Sequence, residues 1–496
     1  MASDTGIKQK AVSGMVWTSI QRFTGMGINF VSGIILSRLL MPEDYGAIGM
    51  LTIFMLIAHS FLDSGFGSAL IQKKRPTQED YSTVFWFNLM MAIVLYLILF
   101  FSAPFIAEFY RMPILCEVLR IQALVLIISA ITIVQANQLR KQFKFKKIAI
   151  VSLVASLLSL AVTIWMAYNG YGVWSLVVQG LLLSGIPSII YWFTNKWYPD
   201  FIFSKESFKS LFSFGAYMLL IHLINEICNN IQGLLIGRLY NASTMGYYSK
   251  ARSTENLASK SISLSLTQIT FPLYAEFQDN KEGLIALIKR LTGVVAYVTF
   301  PLMFLLVLVA KPVFILLYSD RWLPSVPYFQ ILCFAGLAIC LQSINLQAIT
   351  AIGKSKTAFE WTLIKRAIGL IFVIGGLLLF GIKGLLVGMV LSSWMMYLIN
   401  AYLVSKHIGY KIGQQMMDLL PIMLLSILAF VIGRLPDLLA LGLYQNGILE
   451  TILFVAIYLA VSYMSKMRSY EDLIELMPMI IGKLRKKEEI KDLKEN

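Results

Sequence analysis

The sequence predicts an all-α polytopic membrane protein with about 14 transmembrane helices, arranged as two six-helix pseudo-symmetric lobes plus an extra helix pair. Of its 496 residues, 58% are hydrophobic and only 14% are charged. A soluble chain of this length has no means of burying so much apolar surface. The apolar stretches are also about 20 residues long, which matches the hydrocarbon core of a bilayer.

Fourteen candidate spans follow one another with short connections, so no soluble domain is inserted between them. They cover residues 14–37, 46–71, 82–102, 115–138, 148–168, 173–193, 212–238, 252–275, 290–310, 326–350, 363–381, 384–404, 418–434 and 446–465. Each has the length that one crossing requires.

Two sequence echoes predict the division into lobes. Asn29, Gly33, Arg38, Leu39 and Gly46 recur 200 residues later as Asn229, Gly233, Arg238, Leu239 and Gly246. At an offset of 208, Gln122, Leu124, Ala130, Ile131, Asn137 and Lys146 recur as Gln330, Leu332, Ala338, Ile339, Asn345 and Lys354. Six spans per repeat is an even number, so both repeats insert the same way up, around a pseudo-twofold axis along the membrane normal.

The echoes therefore predict an N-lobe at 1–205 (spans 1–6), a C-lobe at 206–411 (spans 7–12), two extra spans at 412–465 and a basic cytoplasmic tail at 466–496. The tail mixes apolar residues with lysines, so it either lies on the membrane as an amphipathic helix or is solvated.

The distribution of positive charge predicts the orientation. Most Lys and Arg residues lie on the side of the membrane that holds the N-terminus, which places both termini in the cytoplasm. The net charge of +15 then follows from topology and from attraction to anionic membrane lipids, so we expect no nucleic-acid partner. The four cysteines are scattered and no metal or nucleotide motif is present, so we expect no cofactor.

Polar residues within the spans are the candidates for a substrate site, because such residues usually face a wet cavity or a partner. Span 1 carries a polar stripe that includes Arg22 and Asn29, and span 7 carries a second stripe with Glu226 and Asn229. The predicted substrate-binding residues are Arg22, Asn29, Arg120, Asn229, Arg252, Asn256, Lys260, Gln342 and Asn345.

Structural alternatives remain open for several of these residues. Arg252 is also placed at an outer-rim helix end, and Arg120 and Lys260 are placed where long basic side chains reach the membrane surface. Gln342 and Asn345 either bind sugar hydroxyls or hold helices together.

Two acidic residues, Asp63 and Glu226, are candidates for ion coupling or for a contact between the lobes. Asp63 lies beside glycines, where it either couples to a proton or a sodium ion or caps a broken helix. Glu226 either takes part in coupling or forms an ion pair with Arg22.

The balance of charged residues within the spans favours an anionic substrate. Arg22, Arg120, Arg252 and Lys260 outnumber Asp63 and Glu226 within the spans. A guanidinium group matches phosphate oxygens with two parallel hydrogen bonds.

Three segments resemble a known family: MVWTSIQRF in span 1, ILSRLLMPEDYGAIGM after it, and DSGFGSALIQKKRPTQEDY after span 2. They are similar to Wzx-type polysaccharide and O-antigen flippases, in the colanic-acid-exporter-like branch of the multidrug/oligosaccharidyl-lipid/polysaccharide exporter superfamily. The resemblance covers roughly residues 10–465 and implies 14 spans in two six-helix lobes plus a pair. It also implies a basic cavity, which Arg22, Arg252 and Lys260 would supply.

The expected function is therefore that of a transporter, not an enzyme. The resemblance implies a flippase of the bacterial inner membrane that moves undecaprenyl-diphosphate-linked oligosaccharide from the cytoplasmic to the periplasmic leaflet by alternating access, for lipopolysaccharide or another surface polysaccharide. Polysaccharide assembly proteins are the expected protein partners. The alternative is an ion-coupled multidrug or metabolite exporter of the same superfamily. A membrane polymerase or acyltransferase fits less well, because the halves are duplicated and histidine is scarce.

Overall fold

The protein is helical throughout, and its described residues contain no β-strand. The structure is a computed structural model that describes residues 2–63, 67, 70, 73, 76–195, 197–439 and 442–475. The chain divides into two compact units, Met1–Ser249 and Lys250–Asn496.

The first unit is built from eight described helices and the start of a ninth. They are α1 (Ala2–Leu39), α2 (Pro42–Asp63), α3 (Gln78–Phe109), α4 (Ile114–Gln122), α5 (Leu124–Lys141), α6 (Phe145–Tyr168), α7 (Val173–Thr194), α8 (Lys205–Leu239) and the first turns of α9 (Ala242–Glu276). Within this unit α1 packs on α6, and α2 packs on α8.

The second unit contains the rest of α9 and the helices that follow it. These are α10 (Lys281–Leu308), α11 (Ala310–Tyr318), the 3-10 helix η1 (Asp320–Trp322), α12 (Ser325–Ala351), α13 (Ser355–His407), α14 (Ile412–Gly433), η2 (Leu435–Leu439) and α15 (Leu443–Met464). Residues 468–475 are also helical. The core of the unit lies where α12 packs on α10 and α13.

The predicted class, an all-α polytopic membrane protein, is confirmed, and the described residues of the predicted spans lie almost entirely in helices. Span 4 corresponds to α4 and α5 together, while spans 11 and 12 are the two halves of α13. Among the described residues, ten segments are long and apolar enough to cross a membrane. The number of crossings stays a prediction, because α1, α8 and α9 are long but are not among those ten.

The segment between α7 and α8, which joins the two sequence repeats, is tied to the start of α3. The indole nitrogen of Trp86 donates to the carbonyl oxygen of Asp200 at 2.8 Å, and that of Trp197 donates to Gln78 at 2.6 Å. The backbone N–H groups of Asp200 and Ser204 donate to the hydroxyls of Ser82 and Thr83. This connector is therefore part of the first unit rather than a free linker.

Residues 200 positions apart meet where α2 crosses the first turns of α9. A Cβ atom on Gly46 would overlap the carbonyl oxygen of Ala242, and a Cβ atom on Gly246 would overlap the carbonyl oxygen of Pro42. The hydroxyl of Ser243 donates to the carboxylate of Glu43. The contact is reciprocal, as a twofold relation between repeats requires. Glycine recurs at these positions because only glycine lets the two backbones approach this closely.

A second glycine seam folds α13 into a helical hairpin. Phe380 and Gly381 leave the helical conformation, and Gly381 adopts a φ of 62°. A Cβ atom on Gly376 would overlap the carbonyl oxygen of Gly384, and one on Gly384 would overlap that of Gly376. The two halves of α13 therefore lie antiparallel in backbone contact, without a polar loop between them.

We predict that Gly46→Ala and Gly246→Ala each lower the melting temperature of the purified protein. The added methyl group meets backbone atoms of the crossing helix, and overpacking of this kind costs roughly 1–3 kcal/mol. Gly180→Ala is the matched control, since nothing lies within 4 Å of a Cβ atom at that helical position. Melting can be followed by fluorescence-detected size exclusion in detergent. Equal stability of the Gly46 and Gly180 variants would refute the tight crossing.

Candidate functional site

Three long helices, α1 and α8 of the first unit and α9, most of which lies in the second, carry most of the predicted site residues. Each of these helices carries several polar or charged side chains within its predicted span. A helix of this kind cannot present its whole surface to lipid, because polar side chains in hydrocarbon are costly. Nine binding residues and two coupling residues were predicted, and seven of these eleven lie on the three helices.

On α1, Arg22 and Asn29 are exposed beside the packed face, about 80° and 60° around the helix from Gly14 and Ser32. The packed face contacts α6 and α7: Gly14 lies against the ring of Phe145, and Ser32 accepts a hydrogen bond from the Gln179 amide at 3.2 Å. The predicted polar stripe is thus split, because Ser32 belongs to the packed side and the two candidate residues to the open side.

On α8, Asn229 is exposed and Glu226 is half-buried. The Glu226 carboxylate accepts a hydrogen bond from the Asn230 amide at 3.0 Å, one turn further along the helix. The ion pairs formed by described residues do not include one between Arg22 and Glu226. Asp63 is the last residue of α2, and its side chain lies outside the described part of the structure.

On α9, Arg252 forms an ion pair with Glu255 across one turn, with 3.1 Å between Nη1 and Oε2. Glu255 is fully buried, whereas the side chain of Arg252 is 28% exposed. Asn256 is half-buried and Lys260 is exposed. Arg252 and Glu255 lie roughly 15 and 20 Å along the helix from its first residue, from a rise of about 1.5 Å per residue.

Glu255 is a candidate residue that sequence reasoning missed. The residues selected from span 8 did not include this acid, so the negative charge within the spans was undercounted. The i, i+3 spacing of Arg252 and Glu255 was the available signal, because residues at this spacing meet on one helix face.

Arg120 is held against α3. Its Nε donates to the carbonyl oxygen of Phe100 at 3.3 Å, and its guanidinium group lies 4.2 Å from the centre of the Phe100 ring. Arg120 is half-buried in this position. Both contacts are made on the short helix α4, which precedes the longer part of predicted span 4.

Gln342 and Asn345, both on α12, are engaged inside the second unit. The Gln342 amide donates to the carbonyl oxygen of Ser393 at 2.8 Å, and the Asn345 amide donates to Gln415 at 3.1 Å. Asn400 links this network to a buried cation, since its side-chain oxygen accepts from the Lys365 ammonium at 2.7 Å. These contacts connect α12 with α13 and α14, which is how polar side chains hold helices together in a membrane.

Comparison with known proteins identifies the fold and the family of the chain. The chain shares the fold of a multi-pass membrane protein, the lipid II flippase MurJ in an inward closed conformation, with a TM-score of 0.75 and 15% identity over 93% of this chain and 100% of that one. A family model described as "Polysaccharide biosynthesis protein" matches residues 35–327, and the chain belongs to this family.

Two curated relatives agree with that assignment. The chain is 29% identical to the teichuronic acid biosynthesis protein TuaB of Bacillus subtilis (strain 168), over 72% of this chain and 74% of TuaB. It is 22% identical to the lipopolysaccharide biosynthesis protein WzxC of Escherichia coli (strain K12), over 89% of each chain. The resemblance to Wzx-type polysaccharide exporters is confirmed.

We predict that substitutions at Asn345 and Asn29 differ in their effect on stability. Asn345→Leu removes a buried partner of Gln415, and an unmade buried hydrogen bond costs roughly 1–3 kcal/mol. Asn29→Leu changes an exposed side chain of α1 and should leave the melting temperature nearly unchanged. Thermal melting of both variants in the same detergent tests this. A larger loss for Asn29→Leu would mean that Asn29 is a structural residue.

Proposed function

We propose that this protein is a flippase that moves undecaprenyl-diphosphate-linked oligosaccharide from the cytoplasmic to the periplasmic leaflet of the bacterial inner membrane. Three findings support the proposal: the polysaccharide biosynthesis family, the fold shared with a lipid II flippase, and the similarity to proteins named for teichuronic acid and lipopolysaccharide biosynthesis. The carrying observation is the set of basic side chains, Arg22, Arg252 and Lys260, within the predicted spans of α1 and α9.

The diphosphate is the part of the substrate that these basic residues would recognise. Arg22 is exposed on α1, and Arg252 is partly exposed on α9. A guanidinium group binds phosphate oxygens through paired, charge-assisted hydrogen bonds, which a lysine ammonium does not reproduce. Lys260, also exposed on α9, adds a positive charge without that directionality.

The remaining parts of the substrate have different chemical needs. Sugar hydroxyls would be satisfied by the side-chain amides of Asn29, Asn229 and Asn256, which donate and accept hydrogen bonds. The polyprenyl chain is apolar and would stay in the lipid. The duplicated sequence supports transport by alternating access, in which one set of residues serves both sides of the membrane in turn. Polysaccharide assembly proteins are the expected partners on the periplasmic side.

We predict that Arg22→Ala, Arg252→Ala and Lys260→Ala each reduce surface polysaccharide in a deletion strain complemented at matched membrane levels. Loss of one charge-assisted hydrogen-bonding partner costs about 1.5–3 kcal/mol, which corresponds to roughly a ten- to a hundredfold loss of affinity. Arg22→Lys should restore only part of the activity, because it keeps the charge and loses the guanidinium fork.

Lys356→Ala is the matched control, because that lysine side chain is 90% exposed and lies outside the three polar helices. The assay should also measure lipid-linked glycan on the cytoplasmic face, which is expected to accumulate in the impaired variants. Full polysaccharide from the Arg22→Ala, Arg252→Ala, Lys260→Ala triple variant would rule out these residues as the diphosphate site. A deletion strain with normal polysaccharide but increased sensitivity to cationic drugs would favour a multidrug exporter.

We also predict the orientation of the protein in the membrane. A reporter that is active only in the cytoplasm should be active when fused after Lys147, Lys209 or Lys411, because Lys- and Arg-rich connections stay on the cytoplasmic side. The same reporter should be inactive near Asn169 or Leu439. Activity near Asn169 would show that the number of crossings in the first repeat is not as predicted.

A further inference from the structure

The ion pair on α9 places a fully buried carboxylate beside a partly exposed arginine. The Glu255 Oε2 atom accepts from Arg252 at 3.1 Å. Its other oxygen, Oε1, is buried and has no hydrogen-bond partner among the described residues. This oxygen lies against α12, where a Cβ atom on Gly336 would be 2.9 Å away.

Besides Arg252, the Ser259 hydroxyl one turn along the helix and the charge of Lys260 favour the ionised form of Glu255. The titratable groups that face it are Arg252 and Lys260 on its own helix and Cys333 and Cys340 on α12. Both cysteines are fully buried, and Lys260 is exposed. Arg252 is therefore the cation in direct contact with the buried carboxylate among the described residues.

Arg252 has two competing anions if the function proposed above is correct. Its side chain is 28% exposed, so a ligand can reach it, and a diphosphate carries more negative charge than a single carboxylate. Transfer of Arg252 to the ligand would leave Glu255 as an unpaired buried charge. Such a charge is strongly unfavourable, and binding a proton removes the penalty.

We propose that Glu255 is a proton-binding site that releases Arg252 to the anionic head group of the substrate. In the empty protein, ionised Glu255 holds Arg252. When the diphosphate takes Arg252, Glu255 binds one proton from water. When the substrate leaves, the proton returns to water and the ion pair forms again. The inference rests on the proposed function, because it identifies the diphosphate as the competing anion.

The test uses the purified full chain in detergent, with farnesyl diphosphate as a short polyprenyl diphosphate probe. Titration calorimetry at about pH 8, where the phosphate groups are largely ionised, is repeated in two buffers of different ionisation enthalpy to count protons. The wild type should take up about one proton per ligand. Its affinity for the probe should therefore fall as the pH rises, by up to about tenfold per pH unit, the limit for one linked proton.

Glu255→Gln should bind the probe more tightly at this pH, take up no linked proton and lose the pH dependence, because the competing charge is absent. Arg252→Ala should bind more weakly and also take up no proton. Glu450→Gln is the matched control, since Glu450 is a buried carboxylate of the same unit, 5% exposed, on α15. It should behave like the wild type.

Two failures can be told apart. Proton uptake that persists in Glu255→Gln, or that is absent from a wild type that binds the probe, overturns the proton site and leaves the flippase proposal intact. A Glu255→Gln variant that only melts at a lower temperature, with unchanged proton uptake, shows a purely structural ion pair and also overturns it. A wild type that does not bind farnesyl diphosphate refutes both diphosphate recognition and the inference built on it.

Discussion

Hydrocarbon offers no hydrogen bonds, so each polar group in a membrane-spanning helix needs a partner inside the protein or access to water. This protein meets that requirement in two ways. Most of its helices are apolar, and at two glycine seams one backbone lies directly on another. Three long helices, α1, α8 and α9, are instead polar along one side. The polar side chains of these three helices are therefore the candidates for contact with the substrate.

Contacts within the units separate the polar residues into two kinds. Gln342 and Asn345 donate to neighbouring helices, and Arg120 lies on the ring of Phe100. These side chains are occupied within their own unit. Arg22 and Asn29 have the opposite character, because the packed side of α1 is formed by other residues and both side chains are exposed. As exposed polar side chains, both can contact a ligand.

The lengths of the apolar segments were sufficient to predict the fold class and the helices, because length is a property of each segment alone. The echo at an offset of 200 also carried real geometric information, because Gly46 and Gly246 turn out to make reciprocal backbone contacts. What periodicity could not supply was the partner of each polar residue. Glu255 looks like one polar residue among several on α9, and its significance comes from complete burial next to Arg252, which depends on the packing of α12.

The break between α4 and α5 and the chain reversal within α13 were also not predicted from the sequence. Both are local conformations of a few residues within an apolar run, and neither changes the hydropathy that defines a span. Gly381 with φ of 62° marks the reversal, but a glycine is common in membrane helices and does not by itself indicate a turn. The turn at Gly381 is specified by the backbone contacts between Gly376 and Gly384.

The α13 hairpin also bears on how the chain is made. Leu378 and Phe380 at its tip are 78% and 77% exposed, and no hydrophilic loop separates its two arms. Each arm has the other's backbone as the surface that fits its glycines. This packing favours insertion of the two arms into the bilayer together, as a helical hairpin that has already formed. Biogenesis of this region would then depend on a single concerted step rather than on two successive insertions.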